Sequence, residues 1–453
     1  MAIEKPLNPM PSGEESEEVQ IEVVNPEAVS VTTEDSAMLI DFTGEVADEV
    51  MGPDHDANLA EFIDEADLQS LASELIDDFN SDRESRRDWA RSYVKGLDLL
   101  GMKIEERTQP WQGASGVFHP ILTEATVRFQ AQAMGEIFPA SGPVRTKIMG
   151  KKDQDKLKQA TRIEDEMNYL LTEEMTEYRD ETEQMLFRLP LAGSSFKKVY
   201  YDPLMERPCA MFVPAEDFVV SYGASDLMTC PRYTHVMKKT QNEIRELQVN
   251  EFYIDVDLPE PQPDYSDIQE KYDEIEGETA VIEDDDRHTL LEMHVDMIMP
   301  EPFDDPDGIA RPYIITIDKS SETILSIRRN WYEGDAKKKK RQHFVHYRYL
   351  PGLGFYGTGL IHLIGGLAKS ATSILRQLID AGTLSNLPAG LKARGLRIKG
   401  DDSPLMPGEF RDVDVPGGAI RDSIAFLPYK EPSSVLYQLL GNIVEEGRRI
   451  GSV

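Results

Sequence analysis

The segment Gly352-Leu-Gly354-Phe-Tyr-Gly357 has the G-x-G-x-x-G spacing, in which small residues let main chain approach a pyrophosphate at a helix N-terminus. It follows a strand-like run and precedes an apolar helical one, the order a dinucleotide site requires. The acidic residue that should end a second strand about 20 positions on is missing: Asp380 falls inside the helix itself, and no strand–helix–strand alternation continues. The spacing is read as a tight turn feeding a helix, with a nucleotide-binding enzyme as the alternative. No G-x-x-x-x-G-K-[ST] phosphate loop occurs, so ATP-driven translocation is not this chain's own work, and H-E-x-x-H and G-x-S-x-G are absent too. His343 and His346 stand three apart in a strand-like run, on opposite faces rather than around one metal. Cys209 and Cys230 read as buried thiols that do not converge with His235. No catalytic residue, metal ligand or cofactor is assigned.

Basic residues offer a different chemistry. From Arg311 to Val453 the chain holds 21 Lys and Arg against 14 Asp and Glu. They include the run Lys337-Lys338-Lys339-Lys340-Arg341 and the set Lys392, Arg394, Arg397, Lys399. Alternation puts Arg397 and Lys399 on one strand face, a surface suited to phosphates or to an acidic partner. The lysine run reads first as a solvated turn.

The elements that must carry these residues follow from periodicity. Residues 1–58 mix Glu, Ser, Pro and Val without a sustained period and read as an acidic disordered arm. Residues 59–190 read as helical. Leu59, Phe62, Ile63, Ala66, Leu71, Ile76 and Phe79 recur at three-to-four spacing, a second helix carries Trp89, Tyr93, Leu97 and Leu100, and Pro120 opens a third that stops before Pro139. A longer helix is expected from about 153 to 189, with Ile163, Met167, Leu170 and Met185 on its stripe and Pro190 as its stop. The period then becomes alternating. Residues 191–250 form a β-rich segment, 251–286 an acidic loop too polar for core, and 287–358 a second β-rich region. Residues 359–387 form an apolar helix buried on most sides, in which Gly365, Gly366, Ala368, Ser370, Ala371, Thr372 and Ser373 are small and let neighbours approach. Gly/Pro-rich strands over 388–431 and a last helix over 432–453 complete an α+β chain.

With 453 residues, 40% hydrophobic and 29% charged, a large multi-part subunit is well within reach. No apolar run attains the roughly 18 residues of a membrane helix, and the N-terminus lacks the apolar core of a signal peptide. Two cysteines exclude a disulfide scaffold. The net charge of −35 is local: residues 1–80 carry 22 acidic side chains against one basic, and residues 251–310 carry 21 against two. Both read as solvated stretches.

The segment Pro110-Trp111-Gln112-Gly113-Ala114-Ser115-Gly116-Val117-Phe118-His119-Pro120, continuing to Ile148, resembles the early wing region of portal proteins of tailed bacteriophages, those of short-tailed phages in particular. So does Tyr349 to Leu391, which resembles the junction and long helix that follow the family's clip region. Pro214-Ala215-Glu216-Asp217-Phe218 lies between them in the family's order. Trp111, Gly113, Ala114 and Ser115 of the first segment, and Gly354, Tyr356, Gly357 and Gly359 of the second, are the structural residues the resemblance singles out.

The resemblance implies an α+β portal subunit with a helical wing, a β-rich clip-like insertion and a long stem-type helix, without enzymatic activity. It implies a ring of about twelve copies closed by heterologous contacts at one capsid vertex. Double-stranded DNA would pass through it without sequence preference, driven by terminase, and leave through the tail. Major capsid or scaffold protein and tail adaptor proteins are the further partners implied, with assembly in the host cytoplasm, residence in the virion and no membrane. Lys369 and Arg376, seven apart on the stem-type helix, are candidate DNA-channel contacts together with Arg397 and Lys399; for Arg376 the alternative is pairing with Asp380 or contact with a neighbouring subunit. An acidic wall would repel DNA toward the axis. Portals of this kind continue past the point corresponding to Val453, so the chain is expected to lack a C-terminal part. Another virion structural protein is the remaining alternative.

Overall fold

Apolar spacing and turn residues divide the chain into helices first, strands next and helices again. The computed structural model describes residues 53–103, 105–202, 205–262, 264–278, 286–305, 307–386 and 431–451. It also describes the backbone alone of strands at 3–6, 30–34, 37–41, 390–392, 397–398, 413–414 and 424–426. The architecture is α+β. Strands β1 (Ile3–Pro6), β2 (Ser30–Glu34) and β3 (Ala37–Asp41) pair in the order β1-β3-β2. The arm expected to be disordered over 1–58 thus contains a small antiparallel sheet, built where Val, Thr, Leu and Ile alternate.

Of the predicted stripe, helix α1 (Glu65–Ser85) leaves Ala66 exposed and buries Leu71, Ile76 and Phe79, together with Ala72 and Leu75. That stripe packs on the antiparallel sheet β10-β9-β8-β7-β6, formed by β6 (Phe218–Val220), β7 (Arg232–Thr240), β8 (Arg287–Met297), β9 (Arg311–Asp318) and β10 (Thr323–Arg329). Residues 53–58, assigned to the arm by the sequence, pack on this body. Asn58 is buried; its Nδ2 donates to Leu325 O at 3.1 Å, and its Oδ1 accepts from Ile327 N at 2.9 Å and Ala60 N at 3.2 Å. A side-chain amide here completes the hydrogen bonding of β10, which composition alone does not signal.

Helix α2 (Arg87–Leu97) buries Tyr93 and Leu97 against α3 (Ile121–Ile137), which begins directly after Pro120 as predicted. The single long helix expected over 153–189 is two: α4 (Gln154–Tyr169) runs into a π turn at Leu170–Glu174, and α5 (Glu177–Ala192) follows. α4 buries nothing, and its apolar stripe is exposed at Leu157, Ile163 and Met167. Pro190 does not stop α5. It sits in the last turn, and the stop is Gly193, whose φ of +85° suits a residue without Cβ.

Sheet β11-β4-β5, from β4 (Ser194–Asp202), β5 (Arg207–Pro214) and β11 (Phe344–Arg348), meets the five-stranded sheet through Phe196, Phe218, Tyr233 and Phe344. Phe196 and Phe218 stack with centroids 4.0 Å apart. Behind these rings Lys198 Nζ meets Glu292 at 2.5 Å, Glu292 meets His294 at 3.1 Å and His343 meets Asn330 at 3.2 Å. Burial holds His235 down to about 3 and His343 to about 4, so both are neutral imidazoles.

The acidic stretch 251–286 is not merely a solvated loop. After α6 (Gln241–Val249), Tyr253 is buried against Leu290 and Leu325, and α7 (Asp267–Glu276) buries Ile268 and packs Tyr272 and Ile275 on α2. Three of its carboxylates have basic partners: Asp264 pairs with Lys319 and with Arg83 at 3.5 Å, Glu274 with Lys103 and with Lys271 at 2.5 Å, and Asp255 with Arg245. Three aromatic or aliphatic anchors among many carboxylates suffice to dock it. The apolar helix α8 (Leu360–Asn386) and α9 (Ser434–Ile450), capped by Ser433, close the fold.

Candidate functional site

Three segments distant in sequence converge on α8. Its N-terminal end is set by main-chain contacts. A Cβ on Gly357 would lie 2.2 Å from Gly193 O, and one on Gly359 would lie 2.2 Å from Leu191 O. Ser194 Oγ accepts from Gly357 N at 2.7 Å and lies 3.0 Å from His346 Nε2. Glycine at 193, 357 and 359 is therefore what lets the α5–β4 turn and the start of α8 touch backbone to backbone. Gly352 is tight in the same way against Tyr356 O at 2.1 Å, whereas Gly354 faces open space. The G-x-G-x-x-G spacing is thus accounted for by self-packing. Every strand pairing among the described residues is antiparallel, so the strand–helix–strand unit of a dinucleotide site is not formed there.

Tyr356 links this turn to the Pro214–Phe218 segment. Its hydroxyl donates to Phe218 O at 3.1 Å and accepts from Arg86 Nη1 at 2.8 Å. Arg86 also donates to Phe218 O and Ala215 O, each at 2.6 Å, and its guanidinium lies 4.3 Å from the Trp89 ring centroid. Next to it, Glu216 accepts from Tyr272 at 2.8 Å and Arg188 at 3.3 Å, while burial and the Glu216 carboxylate push Asp217 up to about 7.

The Trp111 segment is held by the middle of α8. Residues 105–119 fold back on themselves through an Arg107–Ala114 bridge, with Gly116 so close that a Cβ would meet Glu105 O at 1.7 Å. Thr372, Arg376 and Asp380, four apart and hence on one helix face, bind its main chain. His119 N donates to Thr372 Oγ1 at 3.1 Å and Ser115 N to Asp380 Oδ1 at 2.7 Å. Arg376 donates to Val117 O at 2.8 Å and Gly116 O at 3.2 Å, meets Glu105 at 2.5 Å and lies 4.4 Å from the Phe118 ring centroid. The expected pairing of Arg376 with Asp380 is replaced by these contacts, because each side chain finds a better-placed partner in the loop. Ala114 is buried, Trp111 and Ser115 are half-buried, and Gly113 is exposed with φ +89° at the fold-back.

Of the remaining predicted residues, Lys369 is exposed on the open side of α8. The side chain of Arg397 and all of Lys399 lie outside the described residues. The lysine run is an organised turn: Asp335 accepts from Lys337 N and Lys339 N, both at 3.0 Å, and Lys340 is drawn inward to Cys230 O at 2.7 Å and Asp296 at 2.9 Å. His343 and His346 have separate partners, and Cys209 and Cys230 are free and buried. Among the described residues no group of three His, Cys, Asp or Glu is placed to hold a metal, and no helix is long and apolar enough to cross a membrane. Arg86, Ser194 and Glu105 were not anticipated, and Thr372 counts in the sequence only as a small residue of the apolar helix. The signal for Thr372 was present: a polar triplet at i, i+4 and i+8 on an otherwise apolar helix.

The expectation that α8 is buried on most sides is corrected. Leu360, Ile361, Ile364, Ala368 and Ala371 pack on α2, α3 and α9, but Leu363, Gly366, Lys369, Ser370 and Ser373 are exposed. No curated protein matches the chain. The family described as phage SU10 portal protein matches residues 143–441, about two thirds of the chain, from the segment before α4 to the middle of α9. That span contains the Gly352–Gly359 turn and all of α8, and the Trp111 loop precedes it. This chain belongs to the phage SU10 portal protein family.

Proposed function

We propose that the chain is the subunit of a portal ring at one capsid vertex, a channel through which double-stranded DNA is packaged and later ejected. In this reading residues 59–190 serve as wing, 191–250 and 287–358 as clip-like β-rich region, and α8 as stem-type helix. The role is structural, not enzymatic: terminase supplies the work, capsid or scaffold protein surrounds the ring, and tail adaptors bind below. The chain would assemble in the host cytoplasm and reside in the virion.

The observation that carries this beyond the family membership is the open face of α8. A Cβ at Gly366 would meet nothing within 4 Å, and Ser370 and Ser373 continue the same face of small side chains. One flank of an otherwise apolar helix left uncovered by the described residues is suited to a neighbouring copy, and heterologous contacts of this kind close into rings. Lys369 on that side remains the candidate for transient contact with DNA. Arg376 is committed to the Trp111 loop, and Asp255, Asp264 and Glu274 of the acidic segment are paired with basic residues, so these four are not offered as channel lining.

Native mass spectrometry and electron microscopy of the purified chain test the reading. Rings of about twelve copies are expected. A strictly monomeric species at high concentration would overturn it.

A further inference from the structure

Within a chain of net charge −35, residues 147–162 stand out: Lys147, Lys151, Lys152, Lys156, Lys158 and Arg162 are set against only Asp153 and Asp155. All six cations are exposed, and none forms a salt bridge with a described residue. Lys156, Ile163 and Met167, spaced seven and four apart, share one face of α4, a helix that buries none of its residues. Ile163 is 47% exposed, Met167 38% and Met149, just ahead of the helix, 83%. Elsewhere the chain pairs its cations repeatedly, as at Arg232 with Asp78 and Asp82 or Arg311 with Asp305. A basic face studded with large apolar side chains is therefore left uncovered by the described residues.

A complementary face lies on α1. Asp67, Ser70, Glu74 and Asp77 follow one another at three-to-four spacing on the side of α1 turned away from its buried stripe, with Asp64 and Glu65 at its start. All are exposed, and no Lys or Arg occurs from residue 53 to residue 82. Asp78 and Asp82 are taken by Arg232, but none of the five exposed carboxylates has a basic partner among the described residues. Phe62, 49% exposed, adds an apolar side chain in the turn before the helix. We propose that the basic face of residues 147–167 in one copy docks on the acidic face of α1 in the next copy around the ring. The proposal rests on the ring reading above and names a surface pair for it. Charge complementarity carries it: neither face is neutralised within its own subunit, and a heterologous contact uses each of them once per copy. DNA would neutralise the cations but leave Met149, Ile163 and Met167 uncovered and the α1 carboxylates unpaired. The contact is ionic, whereas the one proposed at Gly366 of α8 is made by small side chains, so salt acts on the first.

Charge reversal in the full chain, read by native mass spectrometry, tests this. One variant carries Lys152→Glu, Lys156→Glu and Lys158→Glu, the other Asp67→Lys, Glu74→Lys and Asp77→Lys. All six side chains are exposed, so thermal melting of the monomers should match that of the unmodified chain. Either variant alone should need about tenfold more protein to form rings. Unmodified rings should loosen by about tenfold between roughly 0.05 and 0.5 M salt as the Debye length shrinks. An equimolar mixture of the two variants should regain rings in which they alternate, because each reversed face then meets its opposite. Rings of unchanged stability in both variants, or no rescue in the mixture, would overturn this contact and leave the ring reading standing. An unmodified chain that stays monomeric would overturn the ring reading and the contact with it. A duplex of about 30 base pairs supplies the last arm. If the variant with three new glutamates keeps its rings and loses duplex binding, the face is a DNA site and the proposal is wrong.

Discussion

Asp380 Oδ1 accepts the main-chain N–H of Ser115 at 2.7 Å, a bond that spans 265 residues of sequence. Together with Thr372 and Arg376 it makes one face of α8 the support of the Trp111 loop. Arg376→Ala removes two hydrogen bonds to carbonyls and the Glu105 pair, and should cost about 2–3 kcal/mol. Urea denaturation measures the cost, and limited proteolysis should show faster cutting within residues 105–119. Unchanged stability with weakened DNA binding would instead restore Arg376 as a channel contact.

Two glycines of one motif should respond oppositely to alanine. At Gly357 the new Cβ meets Gly193 O at 2.2 Å and Leu350 O at 2.8 Å, main-chain atoms that cannot step aside, so a loss of about 3 kcal/mol is expected. At Gly354 it meets nothing, and the change should stay within about 0.5 kcal/mol. Thermal melting of the two variants side by side checks this. Equal effects would mean that the turn is not packed as described.

Asn58 ties the chain ahead of α1 to strand β10. Asn58→Ala leaves Ile327 N without its acceptor in a buried strand, while Leu325 O keeps the N–H of Ile254 at 2.9 Å, a loss of about 1–3 kcal/mol. A truncated chain beginning at Pro53 should melt like the full chain, and one beginning at Leu59 should melt lower. Identical melting of the two would show that the side-chain amide contributes nothing to β10.

The open face of α8 predicts a separation of folding from assembly. Gly366→Phe introduces a bulky ring where no described residue is a neighbour, so monomer unfolding should be unchanged within about 0.5 kcal/mol. Ring formation should be lost by native mass spectrometry. Rings of normal mass would place the subunit contact elsewhere.

Acid should destabilise the joint between the two sheets. Burial lowers His235 to about 3 and His343 and His346 to about 4, below the ordinary 6.5, so the unfolded chain binds these protons first. The stability concerned is present above pH 6.5 and is lost as pH falls toward 4, at about 1.4 kcal/mol per pH unit for each histidine. Glu292, held well below the usual carboxylate range by Lys198 and His294 despite its burial, contributes stability that fades only at lower pH. Urea midpoints between pH 7 and 4.5 should fall accordingly, and His346→Gln should flatten the slope by one proton. A flat profile would contradict the burial of these imidazoles.

Periodicity made α1, α2, α3 and most strands legible, because their apolar residues face a core within the same subunit. It misjudged residues 153–189, where α4 keeps helical spacing yet buries none of its residues: spacing records which face is apolar, not what covers it. The acidic stretch 251–286 misled for the opposite reason. Tyr253, Ile268 and Tyr272 anchor it, but they are outnumbered by carboxylates whose partners, Lys319, Arg83, Lys103 and Arg245, lie elsewhere in the chain. In the site, the glycines were legible as small but not as backbone contacts with Gly193. Arg86 carried no local signal, because its carbonyl partners come from an element about 130 residues away.

The three side chains that hold the Trp111 loop sit at fixed turns of α8, and each residue of slip along a helix rotates its faces by about 100°. Thr372, Arg376 and Asp380 therefore engage together or not at all. Sliding apolar surfaces tolerate intermediate positions, whereas four directed bonds to consecutive stretches of main chain do not. The helix is keyed to the loop like a splined shaft: torque applied at one is delivered to the other without backlash, up to the point where the whole coupling lets go.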